Sequence, residues 1–326
     1  MERDENFKDI LQLIGNTPLA RLDFDVKPTL LAKLEYLNPG GSIKDRSALF
    51  MVQQAEREGI LKPGGTIVEA SSGNQGIALA MIGAVKGYKV IITVPDRTAR
   101  EKIDILRAYG AKVYVCPNAD TLDDPEGYHA KAEQLFHSIP GAFMPNQYFN
   151  NANPMAHYTT TGPEIWQQTN GEVTHVIVGA GSCGTISGVA RFLKEKNSAV
   201  KIIGVDAATS VYSSKKPKAY NAEGIGIDVI SDTFQKEFID EIIPINDDDT
   251  FAMTRKLAQR GHLVGLSSGA VMHVALEYCK KLTEKDVVVV IFGDSGRAYL
   301  SKVFAQVEPV QSYSVSKDSC KETTLG

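Results

Sequence analysis

Long apolar runs are missing from this chain of 326 residues: no uninterrupted stretch approaches the roughly 20 residues that a membrane-spanning helix needs. The opening residues, Met1-Glu2-Arg3-Asp4-Glu5-Asn6, hold no apolar segment of the signal-peptide kind. A cytoplasmic protein with no membrane partner is expected. An excess of positive charge is also missing. The chain carries 35 Lys and Arg against 39 Asp and Glu, a net charge of −4 with no dense basic run, which argues against a nucleic-acid partner. Cysteine is sparse and scattered. Cys116, Cys183, Cys279 and Cys320 form no C-x-x-C pair, so neither a zinc site nor a disulfide framework is expected. Internal repeats and low-complexity tracts are absent.

What the chain does have is alternation. Short β-branched runs at residues 66–70, 89–94, 112–116, 175–178, 201–206 and 287–292 are followed by turns and then by helical patterns such as 45–58 and 98–109. This predicts an α/β fold of parallel sheets covered by helices, and the length suits two lobes. Pro, Asn and Asp cluster over 117–154, which places a lobe boundary near residue 150.

Five glycine-rich loops follow the strands or precede the helices. The stretch Asn38-Pro39-Gly40-Gly41-Ser42-Ile43-Lys44-Asp45-Arg46 puts a lysine behind two glycines at a helix start, where Ser42 can cap and free N–H groups attract an anion. Lys44 is thereby a candidate covalent catalyst. The loop Ser71-Ser72-Gly73-Asn74-Gln75-Gly76 offers hydroxyls, amides and N–H groups suited to a carboxylate, although an ordinary cap with a tight turn uses the same residue types. Gly179-Ala180-Gly181-Ser182-Cys183-Gly184-Thr185 matches G-x-G-x-x-G, with Asp206 at 22 residues beyond Gly184. It predicts a phosphate site and leaves a dinucleotide open. Cys183 reads as a small residue tolerated by the turn. Gly265-Leu266-Ser267-Ser268-Gly269 could offer a hydroxyl to a ring nitrogen, and Asp294 and Ser295 of Gly293-Asp294-Ser295-Gly296-Arg297 could border the same pocket or simply cap a helix.

Together these loops, in this order, resemble the pyridoxal-phosphate enzymes of the cysteine synthase and cystathionine β-synthase family, of fold type II, over residues 11–302. The resemblance implies two open, mostly parallel sheets flanked by helices. With the boundary near residue 150, residues 1–40 and 151–305 are expected to form a larger cofactor-binding lobe and 41–150 a smaller mobile lobe, while 306–326, polar, rich in Ser, Lys and Thr and without apolar periodicity, reads as a loosely held tail. The resemblance further implies that pyridoxal 5′-phosphate is the cofactor, that Lys44 bonds covalently to its aldehyde, and that Asn74 hydrogen-bonds its 3′-hydroxyl. Gly181, Ser182, Cys183, Gly184 and Thr185 would hold the phosphate, and Ser267 would meet the pyridine nitrogen. Ser71, Ser72, Asn74, Gln75 and Gln147 would grip the substrate carboxylate, with Tyr148 and Gly226 beside them. A homodimer acting on small amino-acid and thiol substrates is implied by the family alone.

Residues 101–107, Ala156-His157-Tyr158, Gly224-Ile225-Gly226-Ile227-Asp228 and Asp294-Ser295 with Arg297 and Tyr299 resemble cystathionine β-synthases more than cysteine synthases. Residues 161–166 and 266–270 lean the other way. Two positions depart from the pattern: Ile227 stands where Tyr is usual, and Ser182-Cys183 replaces Thr-Gly. No haem-binding extension or regulatory domain pair is recognisable, so regulation by those modules is not expected. The expected reaction is β-replacement of serine by homocysteine, giving cystathionine. Cysteine synthesis from O-acetylserine and sulfide is the alternative within the family, and a nicotinamide-dependent oxidoreductase built on Gly179 to Gly184 and Asp206 is the alternative from another class.

Overall fold

The β-branched runs pair in parallel because helices cover both of their faces, which leaves no polar side for the sequence to alternate with. A computed structural model describes residues 7–71, 73–117, 124–227 and 230–305. Among them the strands are β1 (Leu19–Arg21), β2 (Thr29–Leu34), β3 (Thr66–Ala70), β4 (Lys89–Pro95), β5 (Lys112–Cys116), β6 (His175–Gly179), β7 (Lys201–Ala207), β8 (Glu241–Ile245) and β9 (Val287–Phe292). The helices are α1 (Lys44–Arg57), α2 (Asn74–Lys86), α3 (Arg100–Ala108), α4 (Tyr128–Ser138), α5 (Ala152–Ala156), α6 (Gly162–Gln168), α7 (Gly184–Lys196), α8 (Asp247–Gln259) and α9 (Leu266–Cys279).

A six-stranded sheet has the order β1-β2-β9-β6-β7-β8, and a three-stranded sheet has the order β3-β4-β5. Only β1 and β2 pair antiparallel. Along β9 the side chains part by alternation. Val288, Val290 and Phe292 join a core with Val271 and Ala275 of α9, whereas Val289 and Ile291 join a second core with Ile186, Val189 and Leu193 of α7. Each fully buried aliphatic side chain of this kind contributes about 1.5–3 kcal/mol. A third core surrounds the small sheet, where Ile67, Ile92 and Val94 meet Val52 of α1 and Leu79 of α2.

Six strands lie where the β-branched runs predict them. The others escape for physical reasons. β2 carries Lys33 at a fully buried position, neutralised by Glu164 at 2.6 Å, and β8 is an edge strand interrupted by Pro244. β1 has three residues only.

From β6 the chain proceeds outward through β7 and β8, then returns to β9 on the other side of β6. The order reverses between β6 and β9, and in open α/β sheets ligands bind beyond the strand ends at such a point. The loops that leave β6 and β9 flank this crevice. The predicted tail at 306–326 lies outside the described residues.

Candidate active site

Lys44 reaches the crevice because its loop is stitched to the loop after β9. The Ile43 N–H donates to the Gly293 carbonyl at 2.8 Å, and the Ser295 N–H donates to the Gly41 carbonyl at 3.3 Å. Gly41 has φ +85°, a conformation that favours glycine. At Gly40 a Cβ would stand 2.4 Å from Asp45 Oδ1, while the Gly40 N–H donates to Asp45 Oδ2 at 2.6 Å. The Ser42 hydroxyl accepts from the Lys44 N–H at 3.2 Å. Arg46 points away from the cavity into a buried network. Its guanidinium donates to Glu35 at 2.8 and 2.9 Å and to Glu164 at 2.6 and 2.7 Å, which pins the first turn of α1.

The Lys44 amine lies 3.1 Å from Ser182 Oγ, in a cavity also lined by Asn74, Thr185, Ser267 and Asp294. Burial lowers the amine from 10.5 to about 8, and the Asp294 carboxylate offsets this only in part. Bare backbone forms much of the wall. A Cβ on Gly179 would meet Ile225 at 2.9 Å, and one on Gly224 would come within 3.0 Å of the Ser267 side chain. Cys183, at φ +60°, ends the loop that starts α7, so the first N–H groups of that helix open beside Ser182 and Thr185. These residues fit pyridoxal phosphate: an amine that loses its proton readily, a slot without side chains for a flat ring, and hydroxyls with a helix start for a phosphate.

The expected cofactor residues Lys44, Asn74, Gly181, Ser182, Cys183, Thr185 and Ser267 all line this one cavity. Gly184 does not, because it packs on Asn153, whose Oδ1 would stand 2.0 Å from a Cβ there. The Cys183 thiol turns aside to the Gly181 carbonyl at 3.4 Å. Among the expected substrate residues, the Ser71 hydroxyl accepts from the Gly73 and Gly76 N–H groups at 3.3 and 3.0 Å, which is the capping role. Gln75 is buried, with Oε1 accepting from Ser47 at 3.2 Å and Nε2 lacking a protein partner. Gln147 is held by its backbone: its N–H donates to Glu69 at 3.4 Å and its carbonyl accepts from Asn153 at 2.7 Å. The Tyr148 carbonyl accepts from the Ser231 hydroxyl at 2.6 Å. Ser72 lies outside the described residues.

Gly226 sits to one side of the cavity, where its N–H donates to the Ala180 carbonyl at 2.8 Å; Gly224, two residues earlier, is the one that lines the wall. Asp294 borders the cavity and accepts from Asn74 at 2.7 Å, whereas Ser295 caps the turn at Arg297. Asp206 is wholly buried and accepts from Ser210 at 2.8 Å and Ser213 at 2.6 Å, so its carboxylate is occupied and cannot read a ribose. That removes the support for a dinucleotide.

Sequence reasoning missed a bridge between the two sheets. Lys102 of α3 pairs with Glu223 and lies 4.2 Å over the Tyr299 ring, and Lys302 pairs with the other Glu223 oxygen at 2.7 Å. Glu101 accepts from the Ser301 N–H and hydroxyl, both at 2.8 Å. The passage 101–107 that carried the resemblance holds Glu101 and Lys102, and Glu223 directly precedes the passage 224–228, but neither reveals that these residues meet. Among the described residues there is no cluster suited to a metal ion and no helix long and apolar enough to cross a membrane.

Residues 10–294 match the family of pyridoxal-phosphate dependent enzymes. The cystathionine β-synthase of Rattus norvegicus is 45% identical over 306 residues, covering 90% of this chain and 54% of its own, so the chain spans about half the length of that relative. The O-acetylserine dependent cystathionine β-synthase of Bacillus subtilis is 42% identical over 298 residues, covering 90% of this chain and 96% of its own. The crystal structure of the O-acetylserine dependent cystathionine β-synthase of Helicobacter pylori superposes with a TM-score of 0.86 at 38% identity, over 92% of this chain and 99% of that one. With Lys44 and the glycine-walled slot in one crevice, the chain belongs to the pyridoxal-phosphate dependent enzymes, in the cystathionine β-synthase family.

Proposed function

We propose that this chain catalyses β-replacement, in which a thiol takes the place of the oxygen on the β-carbon of serine or an activated serine. Homocysteine is the proposed nucleophile and cystathionine the product. The observation that carries the reading is the Lys44 amine, lowered to about 8 and 3.1 Å from Ser182 in the cavity that Asn74 and Ser267 share. Bound pyridoxal phosphate supplies an electron sink for the pair left on the substrate Cα when its proton departs.

The rest is done by the protein. Near neutral pH an amine lowered to about 8 is deprotonated in part, so Lys44 can accept the Cα proton and return a proton to the departing β-oxygen. Proton return matters most for serine, because hydroxide is a poor leaving group. Ser267, which lines the cavity, would meet the bound ring with a neutral hydroxyl and not a carboxylate, and a more moderate electron sink of that kind would favour elimination followed by addition over transamination. The Lys102, Glu223 and Lys302 bridge ties α3, beside the small sheet, to the segment that leads into Gly224 at the cavity wall.

A second reading takes O-acetylserine as the amino acid. It is favoured by the Bacillus subtilis and Helicobacter pylori proteins, which this chain matches over almost their whole lengths and whose names specify O-acetylserine. Sulfide as the nucleophile, giving cysteine, is the remaining variant. A competition assay separates them: serine and O-acetylserine are offered together with homocysteine and sulfide, and products are resolved by mass. Cystathionine as the main product supports the proposal, the consumed amino acid identifies the first substrate, and cysteine as the main product overturns the choice of nucleophile.

A further inference from the structure

Two glycines of α7 allow a neighbouring segment to press on the helix that begins at the phosphate-type loop. A Cβ on Gly184 would stand 2.0 Å from Asn153 Oδ1, and one on Gly188 would stand 2.1 Å from the Pro154 carbonyl and 2.8 Å from the His157 side chain. The close approach delivers His157, wholly buried at the start of the wide helical turn His157–Thr161, to the side chain of Thr185. Nε2 of His157 lies 3.2 Å from Thr185 Oγ1, and Nδ1 lies 2.9 Å from Thr161 Oγ1. Both ring nitrogens are therefore engaged by hydroxyls, and Thr185 also lines the cavity.

The state of the ring follows from its surroundings. Burial lowers the imidazole well below its ordinary value, the cations of Arg46 and Lys44 add to this, and Glu164 opposes it. A neutral imidazole has one donor and one acceptor, so the three groups can be wired in only one of two directions. If Thr185 donated to His157, its single proton would be spent inside the protein. If His157 donates to Thr185, that proton stays free for the cavity.

We propose that His157 is a positioning residue that aims the Thr185 hydroxyl at the cofactor phosphate: Thr161 donates to Nδ1, Nε2–H donates to Thr185 Oγ1, and Thr185 donates into the cavity. The passage Ala156-His157-Tyr158, which entered only as part of a family resemblance, thereby acquires a physical task. The proposal rests on the reading that residues 181–185 hold the phosphate.

Two measurements test it. In the ¹⁵N-labelled holoenzyme, long-range proton–nitrogen correlation reads the tautomer of His157, assigned by loss of its signals in His157→Gln. A neutral ring protonated on Nε2 is expected, and a proton on Nδ1 overturns the wiring without any variant having to fold. The dissociation constant for pyridoxal phosphate is then measured for Thr185→Val, His157→Phe and the double variant. Loss of one buried hydrogen-bond partner predicts about tenfold weaker binding in each single variant. The double variant should be no weaker than the weaker single one, and His157→Gln, which keeps an N–H for Thr185, should recover part of the loss. Multiplying effects in the double variant would overturn the proposal, because two independent structural lesions behave that way. Should Thr185→Val bind as tightly as the parent, the assignment of the phosphate to this loop fails; should Thr185→Val weaken binding while His157→Phe does not, only the relay fails.

Discussion

One oxygen of Asp294 accepts from Asn74 Nδ2 at 2.7 Å and from the Tyr299 hydroxyl at 2.6 Å, so a single carboxylate ties the start of α2 to the loop after β9. Asp294 is buried, and its other oxygen has no protein partner. Replacement by alanine would leave the tyrosine hydroxyl and the Asn74 amide unpaired. The expected cost is about 1–3 kcal/mol in urea unfolding of the apoprotein, with Asp294→Asn costing less because its carbonyl still accepts. An unchanged unfolding midpoint in Asp294→Ala would remove this carboxylate from the account.

Arg46 stands two residues beyond Lys44 and is 2% exposed, with Glu35 wholly buried against it. Arg46→Met would leave the buried Glu35 without its cation while Glu164 keeps Lys33, and breaking a buried pair from one side costs about 3–5 kcal/mol. Arg46→Lys is also expected to fail, since an ammonium cannot supply the paired N–H groups that Glu35 and Glu164 receive. Chemical denaturation measures the loss. Weaker cofactor binding should accompany it, because the same network sets the helix turn that carries Lys44.

The lowered Lys44 amine has a consequence for stability. Between about 8 and 10.5 the unfolded chain binds more protons at this residue than the folded one, so its contribution to stability improves as the pH rises through that window and is poorest below it. Apoprotein carrying Lys44→Met should accordingly be more stable than the parent at pH 7, by an amount on the order of 1 kcal/mol or more, with the gap narrowing above pH 8. Denaturation at a series of pH values checks this. A gap that does not vary with pH would mean that the amine is not buried as described.

Cys183 occupies the left-handed conformation at φ +60° and is 3% exposed, and burial pushes its thiol up to about 12. Despite its place in the loop it should be inert. Native protein treated with a thiol-reactive disulfide at pH 7.5 is expected to leave Cys183 unmodified until it unfolds, as read by peptide mass mapping. Fast native labelling at this position would point to an opening of the phosphate-type loop.

Much of this arrangement was legible in order along the chain because its signals are local. The two glycines before Lys44, the β-branched runs and the serine- and glycine-rich loops each depend on a few adjacent residues, and α/β alternation follows from them. The pairings that complete the site are remote. Asn74 and Asp294 are 220 positions apart, and Arg46 and Glu164 are 118 apart, so neither contact leaves a local pattern. Lys33 hid β2 because a buried charge breaks an apolar run unless its partner is already known. The two glycines at 224 and 226 both have positive φ, +84° and +77°, and only the folded chain distinguishes the one at the cavity wall. His157 was visible as a letter in a motif, while its task depends on Gly188, which lets two segments touch.

The central claim is that the amine of Lys44 is the group that bonds the cofactor aldehyde. Holoenzyme treated with borohydride, digested and mapped by mass spectrometry tests it directly, since reduction makes such a bond permanent. The account predicts a phosphopyridoxyl group on the peptide containing Lys44, together with loss of the visible absorbance of the protein. Attachment to a different lysine, or an unmodified Lys44 peptide after complete bleaching, would contradict it.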